Sequence, residues 1–256
     1  PNSQYILGSL FYEGKHIRKD VNKAIYFFEK AANQNHTSAQ FNLGFIFYNN
    51  EDISQNMNKA VHYLTLAAKQ NHLEALYILG IIYLNGENIK QDINEGIRNL
   101  TLAADQNHIE SQYSLGDLYL KGKYVQQNID KAIQYITLAA DQNHIEAQYV
   151  LGNIFLEGEY SLYDIRKAIK YLTLAADQNH PIAQYLLGDI YYNNDNEIKD
   201  IQKAIYYFTL AANQNNSEAQ FELFNLYYKA KYIKQDINLA FHYLKLAADQ
   251  NNLDAF

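Results

Sequence analysis

Apolar residues recur along this chain with helical spacing, in short segments separated by polar intervals. One segment, residues 145–157, carries its apolar side chains at the i, i+3, i+4 and i+7 positions of an amphipathic helix: Ala147, Val150, Leu151, Ile154 and Phe155. A second segment, residues 165–177, has the same pattern. The pattern predicts two short helices, and because helices of this length are marginal alone, each must bury its apolar stripe against neighbours.

The two-helix pattern returns every 36 residues, which is typical of a repeat protein. An alanine pair marks each second helix: Ala31-Ala32, Ala67-Ala68, Ala103-Ala104, Ala139-Ala140, Ala175-Ala176, Ala211-Ala212 and Ala247-Ala248. The frame predicts seven repeats within residues 1–252, bounded as 1–36, 37–72, 73–108, 109–144, 145–180, 181–216 and 217–252. Residues 253–256 echo the start of a repeat, so we expect them to open a truncated eighth one.

Polar residues before the helices are predicted to cap them. An aspartate or asparagine precedes every second helix and can accept a bond from an orphan backbone N–H: Asp20, Asn56, Asp92, Asn128, Asp164, Asp200 and Asp236. A histidine or asparagine takes the same place before the first helix of the next repeat: His36, His72, His108, His144, His180, Asn216 and Asn252. Pro181 follows His180 as a first-turn proline would, which supports this assignment.

The glycines follow the same frame. Six lie inside first helices: Gly8, Gly44, Gly80, Gly116, Gly152 and Gly188. Because a helical glycine costs about 1 kcal/mol relative to alanine, we expect the second helix to approach closely there, through a small residue such as Ala24 or Ala168. Four more are expected to end first helices in the left-handed conformation, with Asn50 and Asn194 as replacements: Gly14, Gly86, Gly122 and Gly158. The eleventh, Gly96, takes an alanine position, so none remains for a phosphate-binding loop.

A motif of the form A-Q-Y-x-L-G-x-x-Y-x-x-G, then D-x-x-K-A, a tyrosine and A-A-x-Q-N-H, resembles the Sel-1-like repeat, a relative of the tetratricopeptide repeat. The fifth repeat carries it almost in full: Ala147, Gln148, Tyr149, Leu151, Gly152, Phe155, Gly158, Asp164, Lys167, Ala168, Tyr171, Ala175 and Ala176. The resemblance covers essentially all 256 residues. Departures include Phe224 in place of the mid-helix glycine and Ala230 in place of the helix-ending one.

The resemblance implies a fold and a function. The expected fold is all-α, a right-handed α/α superhelical solenoid of helix-turn-helix repeats. Such proteins are adaptors and scaffolds, so we expect this chain to bind a partner protein or peptide on the concave face of the superhelix and not to be an enzyme. Two alternatives stay open: a passive structural spacer, or a regulatory subunit attached to a catalytic domain outside this segment.

Composition narrows the chemistry further. The chain has no cysteine, which excludes disulfides, thiolate nucleophiles and cysteine-ligated metal sites. Its net charge of −7 argues against a nucleic-acid partner. Its apolar runs fall short of a membrane span, and no signal peptide opens it, so we expect a soluble segment of unspecified location that does not insert into a membrane. Because Pro1 stands in place of an initiator methionine, we expect the chain to be part of a longer protein.

The periodic histidines suggest a metal site, but their spacing argues against a shared ion. Zinc ligands must lie within roughly 4 Å of one another, whereas successive repeats are separated by helix packings of about 8 to 10 Å each. We therefore interpret these histidines as caps and predict no metal, no cofactor and no catalytic residue. The many carboxylates recur at the polar ends of second helices, where a solvated face accounts for them.

Two positions of the first helices vary between repeats, and the family resemblance places these helices on the concave face. From these positions, with the neighbouring Asn85, we predict the partner-binding residues: Phe45, Ile81, Leu84, Asn85, Asp117, Leu120, Asn153, Leu156, Asp189, Tyr192, Asn225 and Tyr228. The surface is expected to be apolar around repeats two and three and acidic or amide-bearing from repeat four onward. Chance drift on an exposed face is the alternative explanation.

Overall fold

The computed structural model describes residues 1–49, 56–86, 88–158, 162–193 and 198–250. These residues form an all-α solenoid of fourteen helices without a β-strand, which confirms the predicted fold class. The helices are α1 (Asn2–Glu13), α2 (Val21–Ala32), α3 (Thr37–Asn49), α4 (Met57–Lys69), α5 (Leu73–Asn85), α6 (Ile93–Ala104), α7 (Ile109–Lys121), α8 (Ile129–Asp141), α9 (Ile145–Glu157), α10 (Ile165–Asp177), α11 (Pro181–Asn193), α12 (Ile201–Asn213), α13 (Ser217–Lys229) and α14 (Ile237–Asp249). Odd-numbered helices are the first helices of the repeats and even-numbered helices are the second.

The chain divides into two compact units, residues 1–138 and residues 139–256. Within each unit, a first helix packs against the second helix of its own repeat, and that second helix packs against the next first helix. Large apolar side chains from both helix types fill the core of the first unit: Phe28, Leu43, Ile46, Leu64, Leu100, Leu115 and Ile136. The corresponding positions fill the core of the second unit: Leu151, Leu172, Leu187, Phe208 and Leu223.

The helix caps are those that the sequence predicted. Before first helices, Nδ1 of a histidine accepts a hydrogen bond from the backbone N–H three residues later, at 3.1–3.3 Å. Asn216 makes the same bond through Oδ1 at 2.8 Å. All seven predicted caps of second helices accept equivalent bonds at 2.9–3.1 Å. The remaining predicted cap, Asn252, lies outside the described residues, as do Asn50, Asn194 and the expected eighth repeat.

Mid-helix glycines do mark close approach of the second helix, and the nearest atoms there belong to a large residue one turn after the small residue that was expected. A Cβ atom on Gly152 would lie 2.6 Å from Cγ of Leu172, and one on Gly116 would lie 3.2 Å from the carbonyl oxygen of the small residue Ala132. Leu172 lies one turn after Ala168, and a helical side chain covers the turn that precedes its own Cα. The alanine therefore leaves room, and the large residue that follows it covers the glycine.

The ends of first helices adopt the predicted left-handed conformation. Gly14, Gly86, Gly122 and Gly158 have φ between 64° and 69°. Ala230 ends α13 in the same region, at φ 49°, although it carries a Cβ. Between repeats, the asparagine that precedes each first-helix cap turns the chain, with φ between 59° and 66°: Asn35, Asn71, Asn107, Asn143, Asn179 and Asn215.

A glutamine ladder links the repeats within each compact unit. Five first helices have a buried glutamine near their start. Its Nε2 donates to the carbonyl oxygen of the second alanine of the pair in the preceding repeat, at 3.0–3.2 Å: Gln40, Gln112, Gln148, Gln184 and Gln220. In four repeats its Oε1 accepts from the glutamine that follows the second helix, at 2.6–2.9 Å. These bonds satisfy polar groups that would be costly to bury unpaired.

Candidate protein-binding grooves of the first helices

The predicted partner-binding residues all lie in the described part of the first helices, with unequal exposure. Asn85 and Tyr228 are exposed, and Leu84 is buried. The others are half-buried: Phe45, Ile81, Asp117, Leu120, Asn153, Leu156, Asp189, Tyr192 and Asn225. The first-helix surface therefore offers partly accessible side chains.

Four of these residues meet in one open groove of the first compact unit, which we call the α5–α7 groove. Ile81, Leu84 and Asn85 line it from α5, and Asp117 lines it from α7. The groove has a volume of about 270 Å³, and further residues of α7 and of the following loop complete its lining: Tyr113, Ser114, Leu118, Lys121, Lys123 and Tyr124. Two consecutive repeats thus contribute to one surface.

The floor of the groove depends on a glycine in the neighbouring second helix. A Cβ atom on Gly96 would lie 2.8 Å from Cγ of Leu84, so the missing side chain lets Leu84 sink into the core. Leu84 is only 5% exposed. It therefore forms the apolar floor of the groove, while Ile81 and Asn85 remain accessible at its side and end.

The charges of the α5–α7 groove are largely balanced. Oδ1 of Asp117 lies 2.8 Å from Nζ of Lys121, one turn along α7. The ammonium group of Lys123 lies over the ring of Tyr124, 4.9 Å from its centroid. Since Asp117 is already paired, this groove lacks the acidic character that the sequence suggested for repeat four.

A different cluster, in the second compact unit, does have acidic character. Burial and the nearby carboxylate of Asp189 raise the pKa of Glu222 above its usual value. Burial, Asp189 and Glu222 together raise the pKa of Tyr185 to about 12. Nearby, the rings of Tyr192 and Tyr232 meet edge to face, with centroids 6.3 Å apart. We call this set the α11–α13 acidic cluster. Lys229 offsets the charge at Glu222 only in part. Nζ of Lys199 lies over the rings of Tyr192 and Tyr232, 5.9 Å and 4.8 Å from their centroids.

Comparison with known proteins assigns the family. The sequence profile of the Sel1 repeat matches residues 1–36, 37–72, 73–108, 109–144, 145–180, 181–216 and 217–252. The chain belongs to the Sel1 repeat family. Repeats of this family generally build solenoids that serve as protein-interaction scaffolds and are typically not enzymes.

Two solved structures of Sel1-like proteins resemble the chain over 99% of its length. One is c5321, a protective antigen of uropathogenic Escherichia coli strains with an SLR fold, at 27% identity and a TM-score of 0.91. The chain covers 54% of that protein and so spans about half its length. The other is a Sel1 repeat protein from Oxalobacter formigenes, at 27% identity and a TM-score of 0.78, of which 73% is covered. A comparison with curated protein sequences finds no match.

The remaining predicted residues of this Sel1 repeat chain lie outside both sites. Phe45 packs against Phe41 on α3, with ring centroids 5.9 Å apart, and Tyr228 stacks on Phe224 at 5.3 Å. Leu120, Asn153, Leu156 and Asn225 likewise line neither the α5–α7 groove nor the acidic cluster. Within the described ranges, no helix combines the length and apolar character needed to cross a membrane.

Several residues of the two Sel1 sites lie outside the two variable positions of the first helices, so the sequence did not predict them. Glu222 occupies a position that is uncharged in the other six repeats: Ile6, Asn42, Ile78, Ser114, Val150 and Leu186. The single charge among seven equivalent positions is the feature of the sequence that could have indicated Glu222. Lys123 and Tyr124 come from the loop after α7, where the pattern of helical positions carries no information about contacts with α5.

Proposed function

We propose that this Sel1 repeat chain is a protein-binding scaffold whose main anchor site is the α5–α7 groove. One observation carries the proposal: three residues at positions that vary between repeats, Ile81, Leu84 and Asp117, converge with the neighbouring Asn85 in a single open groove. Variation alone would equally fit neutral drift, whereas convergence on one concavity fits a binding site.

The groove suits a peptide side chain better than a small-molecule substrate. It is an open groove of about 270 Å³, at the lower end of the usual size of ligand pockets, and an extended chain can reach it from solvent. Leu84 and Leu118 offer an apolar floor, and the amide of Asn85 offers a donor and an acceptor for a peptide backbone. The expected ligand is an extended or helical segment that inserts an apolar anchor residue. A second candidate contact, for a basic residue of the partner, is the carboxylate pair Asp189 and Glu222, because the pKa of Glu222 stays raised although Lys229 opposes this.

A peptide-selection experiment tests the proposal. A displayed random peptide library is selected on the purified chain, and the dissociation rate of each selected peptide is measured by surface plasmon resonance. Ile81→Ala is expected to speed dissociation roughly 30-fold, since a buried hot-spot anchor is worth about 2 kcal/mol. Asn85→Ala is expected to weaken the same peptides to a smaller extent.

Leu102→Ala is the matched control, because Leu102 is 43% exposed on the second helix α6. This substitution should leave the dissociation rates unchanged. Faster dissociation from the Leu102→Ala variant, together with unchanged rates for Ile81→Ala, would place the binding surface on the second helices and refute the α5–α7 groove.

A further inference from the structure

The imidazole of His108 has one nitrogen that the helix cap does not use. Its Nδ1 accepts the capping bond from the N–H of Ser111, while Nε2 is buried and has no hydrogen-bond partner. The residue is only 8% exposed. An unsatisfied buried nitrogen is costly, so its surroundings should show what would satisfy it.

Two glutamates flank this nitrogen. Nε2 lies 3.3 Å from Oε1 of Glu74, at the start of α5, and 3.6 Å from Oε2 of Glu110, in the first turn of α7. The three ligand atoms all lie within 4.8 Å of one another. Both carboxylates are about half exposed, at 53% and 52%, so they can turn toward an ion that arrives from solvent.

The distances match the edges of a metal coordination sphere. An ion about 2.0 to 2.1 Å from its nitrogen and oxygen ligands in tetrahedral geometry separates those ligands by roughly 3.3 to 3.4 Å. The two distances from Nε2 are 3.3 Å and 3.6 Å. Both carboxylates are near Nε2, but neither is placed to accept a hydrogen bond from an Nε2–H group. The arrangement therefore favours an ion between the three groups over a direct N–H···O bond.

Ser111 supplies what a metal-binding histidine requires on its other side. Binding of an ion through Nε2 requires the proton of the neutral ring to sit on Nδ1. Nδ1 then gives up the capping bond from the N–H of Ser111 and donates instead to Oγ of the same serine, 3.0 Å away. The other histidine caps of first helices are followed at this position by an alanine, which offers no such acceptor: Ala39, Ala75, Ala147 and Ala183. The cluster is thus chemically distinct from the ordinary cap.

The ring of His108 also departs from the usual packing. In three other repeats the capping histidine stacks on an aromatic ring of the preceding first helix, at 4.3–4.6 Å and 16–21°. His108 lies 5.5 Å from the ring of Tyr77 and is tilted by 37°. Its position is therefore not dictated by the stacking that holds the others.

We propose that Glu74, His108 and Glu110 bind a divalent transition-metal ion, with water completing the coordination and Ser111 orienting the imidazole. One nitrogen and two carboxylate oxygens are a ligand set that suits Zn²⁺. The ion joins the start of α5 to the start of α7, the two helices that line the α5–α7 groove. The metal site does not depend on that groove being a peptide site.

Calorimetric titration of the chelator-treated chain with Zn²⁺ at neutral pH tests the site. The wild-type chain is expected to bind one ion saturably at this site. His108→Asn should weaken that binding at least 10-fold while keeping the fold, because Asn216 shows that asparagine caps a first helix equally well. Ser111→Ala should weaken it about 10-fold, the usual effect of losing a group that orients a ligand.

A second histidine provides the matched control. His180 has one nearby carboxylate, Glu146 at 3.4 Å, and Ile182 stands where a second glutamate would be. Glu146→Gln should leave Zn²⁺ affinity unchanged, whereas Glu74→Gln should reduce it. Absence of saturable Zn²⁺ binding in the wild-type chain, or equal affinity in His108→Asn, would overturn the proposal and leave His108 as a helix cap beside two carboxylates.

Discussion

At the scale of single residues, the first helices of this chain are capped by a ring nitrogen where an oxygen is more usual. A neutral imidazole can accept the bond from a backbone N–H, but a protonated one cannot, because both nitrogens then carry hydrogen. The caps are therefore sensitive to pH in a range where aspartate and asparagine caps are not. His72 shows the effect clearly, since burial lowers its pKa and the charge of Glu74 only partly opposes this.

We predict that acid destabilises the chain through His72. Because its pKa is lowered in the fold, the unfolded chain binds the proton more tightly, and the free energy of unfolding should fall as pH drops from about 6.5 toward the folded pKa. His72→Asn keeps a cap and removes the titrating group, so urea unfolding across this pH range should show a shallower decline.

His62→Asn serves as the control, because His62 is exposed on α4 and caps no helix. Its pH profile should match that of the wild-type chain. An unchanged profile for His72→Asn would contradict the role of this cap.

The sequence predicted residues whose role is local, and missed those whose role depends on a distant partner. The caps, the asparagine turns and the helix-ending glycines all act within a few residues of themselves, so their chemistry is legible in the chain. Gln184 is different: it is buried, and it bonds to a carbonyl of Ala176 and to Gln214. The residues that flank a glutamine in the sequence do not indicate a hydrogen-bond partner 30 residues away.

At the scale of the helix, α6 is unlike the other second helices. In six repeats, two aromatic rings stack between the first and second helix, with centroids 5.7–6.3 Å apart. In five of these a lysine of the second helix covers the first ring. In α6 the ring is replaced by Asn99 and the lysine by Glu95, and an open pocket of about 320 Å³ lies beside Tyr83.

We predict that restoring the usual pair stabilises this helix. The double variant Asn99→Tyr with Glu95→Lys places a ring in this pocket against Tyr83, and an aromatic pair contributes about 1 kcal/mol beyond its buried area. The free energy of unfolding in urea should rise by about that amount. The converse change, Tyr135→Asn with Lys131→Glu, should lower it, and a loss of stability in both variants would refute this interpretation of α6.

Helix boundaries were well predicted because each depends on short-range signals that recur in every repeat. Residues 145–157 and 165–177 were expected to be helical, and they form α9 and α10 with those bounds. A cap at the start and a glycine or asparagine at the end fix the limits locally. Repetition then confirms each signal several times along the same chain, which a single helix pair could not do.

At the scale of the whole molecule, repeats contact chiefly their neighbours in sequence. Solenoids of this kind gain stability from each repeat and from each interface between neighbours. Deletion of residues 181–216 should therefore leave a folded, shorter chain, because Gln220 can then reach the carbonyl of Ala176 as Gln184 does now. Circular dichroism should show cooperative melting at a lower midpoint, and loss of the helical signal would contradict modularity.

The candidate binding sites are harder to predict from the sequence than the solenoid fold is. Both the α5–α7 groove and the α11–α13 acidic cluster combine residues from successive first helices, about one repeat apart in the chain. The balance of charge in the groove depends on Lys121 pairing with Asp117, and this follows from helix geometry only once both are assigned to the site. The periodic frame shows which positions vary but not which of them meet.

The glutamine ladder also limits the ways in which repeats can associate. Each ladder amide donates toward the preceding repeat, so one face of a repeat offers N–H groups and the opposite face offers carbonyl oxygens. Two identical faces cannot satisfy each other, and a two-fold symmetric contact requires identical faces. A fragment that exposes such a face should therefore join further copies head to tail, in an open filament instead of a closed dimer.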